Sequence, residues 1–115
     1  MLDPIAGNLD QYMTLLSARQ RLVSANIANA DTPGYKTKDI DFQTELENAM
    51  QGSNAAPSVK ELTNLTVKDD GNNVNLDREA RLLSENALRF SIASNFLRSQ
   101  LKIVRMAVEG GGTGS

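Results

Sequence analysis

The chain has 115 residues, a length that suits a single domain, and a formal net charge of −2, which gives no general attraction to nucleic acid or anionic lipid. It contains no cysteine and no histidine, so disulfides, thiolate chemistry and histidine-based catalytic or metal sites are excluded. Aromatic residues make up only 4% of the chain, so aliphatic residues must supply most of the buried surface, as they do in helical bundles.

The first predicted element is a long helix that begins with Asp3 as N-cap and Pro4 in the first helical position, and ends near Ala30. Apolar residues recur along it at alternating steps of four and three, the period of a coiled-coil seam. The seam comprises Ile5, Leu9, Tyr12, Leu16, Arg19, Val23, Asn26 and Ala30. Pro33 and Gly34 should turn the chain, because proline disfavours helical geometry before it and glycine permits positive φ.

The polar residues at this helix end are ordered more specifically than a helix stop requires. Asn26 occupies a seam position where an apolar residue is expected, which costs stability but can fix register. The amide of Asn29 lies in the last turn, where it can bond carbonyl groups that the helix leaves free. We therefore predict a helix-exit and register motif that comprises Asn26, Asn29, Thr32, Pro33, Gly34 and Tyr35. Residues 1–34 form the predicted N-terminal unit.

The middle of the chain, residues 35–75, is more polar and is predicted to be partly flexible. Its pattern indicates a short helix over residues 41–50, a flexible loop over residues 51–58 and a brief strand at residues 65–67. A turn should follow at residues 70–72. The acidic residues beside that turn invite a calcium interpretation, but the ligand spacing of an EF-hand is not met, so we predict no metal site.

The second long helix is predicted over residues 76–109, with Asp77 as N-cap and Gly110 as its end, and a loose tail over residues 110–115. Its steps of four and three place an apolar seam at Leu76, Ala80, Leu83, Ala87, Phe90, Ser94, Leu97, Leu101, Val104 and Val108. The side chains expected to carry packing and assembly are Leu83, Phe90, Leu97, Leu101 and Val104, facing Leu9, Leu16 and Val23 of the first helix.

These elements predict an all-α fold in which the long terminal helices pair as an antiparallel coiled-coil-like hairpin, with a partly irregular middle segment. The second helix carries further large apolar side chains off its seam, so the hairpin would leave much apolar surface in water. We therefore expect the isolated chain to be marginally stable and assembly to complete its core. The alternative is a self-sufficient three-helix bundle, although residues 41–50 are too few to cover both long helices.

The run Asn-Ile-Ala-Asn-Ala-Asp-Thr-Pro-Gly-Tyr-Lys at residues 26–36 resembles the N-terminal signature of bacterial flagellar rod, hook and hook-associated axial proteins. It departs mildly at Asp31, where asparagine is common. The C-terminal half resembles the proximal rod type within that family at residues 71–79, 86–90 and 97–102. The resemblance covers residues 1–50 and 70–108.

The resemblance implies a non-enzymatic structural subunit of the proximal rod, without cofactor or metal. Such a subunit would self-assemble through its terminal helices and transmit torque, and its middle segment would face outward. It implies location in the periplasmic rod of the basal body, after export by the flagellar type III apparatus without a cleavable signal. Expected partners are further copies of the chain, other rod subunits, the rod-to-ring adaptor, the membrane ring and, during secretion, the export apparatus.

Other classes of function stay open. A small helical adaptor or export chaperone of the flagellar secretion system would be a stable dimer in the cytoplasm, whereas a rod subunit would occur with basal bodies. An enzyme would need an acid pair such as Asp39 and Asp41 in a pocket. The basic residues of the second helix lack interleaved aromatic residues, so we expect no nucleic-acid partner. No apolar run is long enough to predict direct membrane insertion.

Overall fold

The computed structural model describes residues 4–113 and contains three helices and one small sheet. In chain order the elements are α1 Pro4–Ala28, β1 Lys38–Ile40, α2 Phe42–Met50, β2 Val59–Glu61 and α3 Leu76–Thr113. The predicted cap Asp3 lies outside the described residues. The molecule is elongated, with extents of 73 × 25 × 16 Å. Among the described helices, none combines the length and apolar character that a membrane crossing requires.

The two long helices lie side by side with opposite directions. Asn26, near the end of α1, bonds to Glu79, near the start of α3, and Leu16, further back on α1, shares a cleft with Phe90, further along α3. The seam predicted for α1 turns inward, because Leu16, Val23 and Asn26 are all buried. Leu9 is half-buried. The chain is thus mostly helical, as predicted, although the sheet corrects the expectation of an all-α fold.

The row of α3 that packs inside the chain differs from the predicted seam. Its buried members are Glu79, Leu82, Asn86 and Ala93. Of the five side chains predicted to carry its packing, Leu97 is half-buried and four are exposed: Leu83, Phe90, Leu101 and Val104. The intramolecular seam is therefore displaced by one row. The apolar periodicity predicted the wrong row because the row that packs on α1 includes two polar residues, Glu79 and Asn86. Periodicity does not show that such residues are buried. A role for the exposed row between subunits stays a prediction.

The middle segment packs its helix against α1 and pairs two short strands. The predicted helix is present as α2, and the Asp41 side chain caps it by accepting a hydrogen bond of 3.3 Å from the backbone N–H of Thr44. The rings of Phe42 and Tyr12 meet edge to face at 5.7 Å between centroids, which holds α2 on α1. The strand expected at residues 65–67 is wrong, because the strand that pairs antiparallel with β1 is β2.

Helix α3 begins at Leu76, as predicted, but its capping residue and its C-terminal end differ from the prediction. The side chain of Asn75, not that of Asp77, accepts from the backbone N–H of Arg78 at 3.1 Å and so caps the helix. Asp77 lies in the first turn, where its charge favours the positive end of the helix dipole. The helix also continues beyond Gly110 to Thr113 instead of ending at the glycines. The two residues that follow lie outside the described chain.

Candidate functional site at the helix exit

The turn that leaves α1 has the conformation that its proline and glycine predict. The N–H of Tyr35 donates to the carbonyl of Thr32 at 3.2 Å, and Gly34 between them has φ +76°. Proline followed by a positive-φ glycine inside such a hydrogen-bonded turn is typical of type II geometry. The N–H of Gly34 donates to the carbonyl of Asp70 at 2.9 Å, which ties the turn to the segment before α3.

Side chains bond to carbonyl groups around the end of α1. The Nδ2 atom of Asn29 donates to the carbonyl of Ala25 at 2.8 Å, although that carbonyl is not left free by the helix, because it also accepts the backbone N–H of Asn29 at 3.0 Å. The hydroxyl of Thr32 donates to the Oδ1 atom of Asn29 at 3.0 Å. The ammonium group of Lys68 donates to the carbonyl of Ala30 at 3.0 Å, and its positive charge lies at the negative end of the helix dipole.

Asn26 is the centre of the site, since it is 1% exposed and uses every hydrogen-bonding position of its amide. Its Nδ2 atom donates to the carbonyl of Lys38 at 2.9 Å and to the Oε1 atom of Glu79 at 2.7 Å. Its Oδ1 atom accepts from the Tyr35 hydroxyl at 2.9 Å and from the Lys38 N–H at 3.0 Å. One side chain thus joins α1, the turn, β1 and α3.

Three ion pairs, linked in a row, extend from Asn26 through Glu79. The Oε2 atom of Glu79, a fully buried residue, accepts from Arg78 Nη1 at 2.6 Å, and Arg78 Nη2 donates to the Oδ2 atom of Asp39 at 2.5 Å. Asp39 also receives both the Nε and the Nη2 of Arg19 at 3.0 Å, a two-pronged pairing that fixes geometry as well as charge. Two guanidinium groups therefore balance two carboxylates. The exit network is the set Arg19, Asn26, Tyr35, Asp39, Arg78 and Glu79.

The electrostatics of the network favour its charged form. Burial alone would raise the pKa of Asp39, but hydrogen bonds from Arg19, Arg78 and the N–H of Ile40 outweigh it and lower the pKa below its ordinary value. Burial would lower the pKa of Arg78, yet its bonds to Glu79 and Asp39 raise it. The pKa of Tyr35 is raised, first by burial and then by the nearby Glu79 charge, so its hydroxyl stays a donor to Asn26.

Two consecutive asparagines hold the exit turn against the segment before α3. Asn72, fully buried, donates through Nδ2 to the carbonyls of Asn29 and Thr32, both at 2.9 Å. Asn73 accepts the N–H of Thr37 on its Oδ1 atom at 2.6 Å and donates to the carbonyl of Leu62 at 2.8 Å. In this region, which has no regular strand pairing, the two asparagine side chains supply hydrogen-bond partners to backbone groups. Their hydrogen bonds hold the exit turn against the segment before α3.

Gly71 lets this segment approach the exit turn closely. It has φ +85°, and a Cβ atom added there would lie 3.3 Å from the Cα atom of Gly34. The turn predicted at this position is therefore confirmed, and its glycine is needed both for its backbone conformation and for space. The carbonyl of Gly71 also accepts from the ammonium group of Lys36.

The structure thus brings together all six predicted motif residues, and it adds partners that sequence reasoning did not assign to them. The sequence indicates a turn at Asn72 and a resemblance to rod proteins over residues 71–79, but it assigns no contact to Asn72, Asn73 or Glu79. Asp39 and Asp41, named as a possible acid pair, have separate roles, since Asp39 pairs with two arginines and Asp41 caps α2. Within the described residues, no group of acidic side chains is arranged to hold a metal ion.

The fold and the site define a structural class: two paired long helices, a turn after the first helix that is held by buried polar contacts, and a long apolar surface left outside. A family profile described as flagella basal body rod protein matches residues 13–36, the end of α1 and the exit turn.

Curated relatives extend the match over nearly the whole chain. The chain is 32% identical to the flagellar basal body rod protein FlgB of Escherichia coli K12, over 96% of this chain and 99% of that protein. It is 32% identical to the FlgB protein of Buchnera aphidicola over 87% of the chain and 90% of the relative, and 31% identical to that of Borrelia hermsii over 86% and 91%. The chain belongs to the family of flagellar basal body rod proteins of the FlgB type.

Proposed function

We propose that this chain is a structural subunit of the bacterial flagellar rod, in its proximal part, and that it assembles through its terminal helices and transmits torque. The observation that carries the proposal is similarity along nearly the full length to proteins named as basal body rod components, together with a family profile that matches residues 13–36. The role is mechanical, so the properties that matter are stiffness, shape and the surfaces left for neighbours.

The exit network supports such a role because it fixes how α1 leaves for the middle segment. Asn26 is bonded to three separate parts of the chain, so rotation of the turn away from α3 would break several buried hydrogen bonds at once. Breaking a buried bond while leaving its partner unsatisfied costs about 1–3 kcal/mol. A subunit under torsion would therefore keep its helix geometry while its outer segment adapts. We propose that this is the register function predicted for the motif.

The apolar surface of α3 supports assembly. Residues 101–110 are all exposed, and the large apolar side chains among them are Leu101, Ile103, Val104, Met106 and Val108. A lone chain gains nothing from this surface, whereas burial gives about 25 cal/mol for each Å² removed from water. We propose that neighbouring rod subunits, including further copies, cover it, and that the paired helices act as a coiled-coil-like core with the middle segment outside.

The remaining partners follow from the place of a proximal subunit. We propose contact with the rod-to-ring adaptor and the membrane ring, and passage through the flagellar export apparatus without signal cleavage, into the periplasmic rod.

The decisive experiment is deletion of the gene in its native bacterium, followed by complementation and mass spectrometry of purified basal bodies. We expect the deletion to abolish motility and the complementing chain to be recovered in basal bodies. Recovery as a stable cytoplasmic dimer, absent from basal bodies, would contradict the proposal and favour an export chaperone.

A matched pair of variants tests the assembly surface. Leu101→Asp replaces an exposed apolar residue of α3, whereas Ser91→Asp adds the same charge at an exposed polar position of the same helix. We expect Leu101→Asp to abolish motility at normal expression and Ser91→Asp to retain swimming. Equal effects of the two would indicate that charge on α3, and not loss of the apolar surface, causes the defect.

A further inference from the structure

Helix α3 carries two separate exposed apolar faces besides the row that packs on α1. The first, the cleft face, comprises Leu83, Phe90, Leu101 and Val104, which are 37–50% exposed. The second, the outer face, comprises Leu88, Ile92, Phe96, Ile103 and Met106, which are 48–62% exposed. At 3.6 residues per turn the centres of the two faces lie roughly half a turn apart.

Phe90 of the cleft face lines a cavity between α1 and α3 in which two buried polar side-chain atoms have no hydrogen-bond partner. The cavity has a volume of about 340 Å³ and is lined by Leu16, Ser17, Gln20, Asn86, Ala87 and Phe90. Asn86 is 3% exposed, yet its Nδ2 atom has no hydrogen-bond partner, and the buried Oε1 atom of Gln20 also has none. An unpaired buried donor costs about 1–3 kcal/mol, so the chain alone leaves this cleft incomplete.

We propose that the cleft face of one copy receives the outer face of α3 from a second copy. The outer face offers a row of large apolar side chains at helical spacing, which suits a groove lined by Leu16, Ala87 and Phe90.

The placement of the two faces determines the kind of assembly. The cleft face of one copy meets the outer face of the next copy, so the first copy keeps a free outer face and the second copy keeps a free cleft face. Each free face can bind a further copy, and the contact therefore propagates instead of closing into a dimer. This rests on the proposed function and deepens it, because it names the surfaces by which successive copies in the rod meet.

The size of the faces predicts weak pairs and a stable array. Each face leaves on the order of 300–500 Å² of apolar surface, so one contact buries less than the roughly 1,000–1,200 Å² of a stable interface. A copy inside the array uses both faces and buries about twice as much. Assembly should therefore be cooperative, with little dimer in dilute solution.

The absence of cysteine from the chain makes disulfide mapping direct. Ala87→Cys places a thiol at the exposed rim of the cleft, and Leu88→Cys, Ile92→Cys and Phe96→Cys scan the outer face. Thr63→Cys, exposed in the middle segment, is the control partner. Each variant is first checked for motility under reducing conditions. Pairs are then co-expressed in the native bacterium, and basal bodies are isolated and oxidised.

We expect Ala87→Cys to form disulfide-linked dimers when mixed with one outer-face variant, at least tenfold more than with Thr63→Cys, and no variant to cross-link strongly by itself. Strong self-linking of Ala87→Cys, or of an outer-face variant, would overturn the proposal in favour of like faces meeting. Motile cells with the chain in basal bodies but no cross-link at any scanned position would also overturn it, while leaving the proposed function intact. Absence of the chain from basal bodies would contradict both.

Discussion

Replacement of Asn26 by leucine should be the most damaging single substitution in the exit network. Leucine has nearly the size of asparagine but removes all four hydrogen bonds of the amide, which reach Tyr35, Glu79 and both backbone groups of Lys38. Each bond contributes about 1 kcal/mol, and buried partners left unsatisfied add to the loss. We therefore expect the free energy of unfolding to fall by about 3–5 kcal/mol, a large part of a small domain's stability.

The assay is urea unfolding of the purified full chain, followed by the helical circular dichroism signal, with an osmolyte added if the variant needs stabilisation to show a folded baseline. Asn8→Leu, which makes the same change at an exposed position of α1, serves as the control and should change the free energy by less than about 0.5 kcal/mol. A loss below about 1 kcal/mol for Asn26→Leu would refute the view that this amide holds the helix exit together.

Three further outcomes are expected. Asp39→Asn leaves Arg19 and Arg78 without their shared counter-charge and should cost about 3 kcal/mol at pH 7. The pKa of Asp39 is lower in the folded chain than in the unfolded chain. Its contribution to the free energy of unfolding is therefore complete above the unfolded pKa of about 3.9 and is lost as pH falls through the folded pKa. Melting curves from pH 7 to pH 2 should show this loss in the wild type and less of it in Asp39→Asn. Gly71→Ala should destabilise by at least 1 kcal/mol more than Gly52→Ala, since both have positive φ but only Gly71 faces a backbone atom at 3.3 Å; equal melting temperatures would contradict the close approach. Asn75→Ala should cost about 1 kcal/mol and Asp77→Ala less than half of that, whereas the reverse order in urea unfolding would restore Asp77 as the cap of α3.

Local chemistry made the helix exit predictable. Proline and glycine set the turn, Asn29 just after the last helical turn had helix carbonyl groups within reach, and the position of Asn26 in a mainly apolar seam marked it as a special residue. Each of these inferences depends on neighbours a few residues away in sequence, where spacing alone fixes geometry.

The partners of those residues could not be predicted, because they come from distant parts of the chain. Asn26 and Glu79 are 53 residues apart, and Arg78 and Asp39 are 39 apart. Nothing in a helical periodicity distinguishes a glutamate that is buried by such partners from one that faces water. For the same reason the apolar steps along α3 identified a real row of side chains but assigned it to the wrong surface within the chain.

The small sheet was missed for a related reason. β1 and β2 have three residues each, and the β2 side chains are all exposed, so neither an alternating pattern nor an apolar run reveals them. Their pairing follows from the exit network, because Asn26 bonds both backbone groups of Lys38 and so positions the first strand.

Hydrogen exchange of the free chain and of the chain in isolated basal bodies, compared by mass spectrometry, tests the central claim most directly. The exit network should be complete before assembly, so backbone amides in residues 26–39 and 72–86 should be protected in both states. Amides in residues 88–108 should exchange rapidly in the free chain and become at least tenfold slower in the rod, because neighbours then cover both faces of α3. Equal protection of residues 88–108 in the two states, or rapid exchange at the exit turn in the assembled rod, would contradict the account.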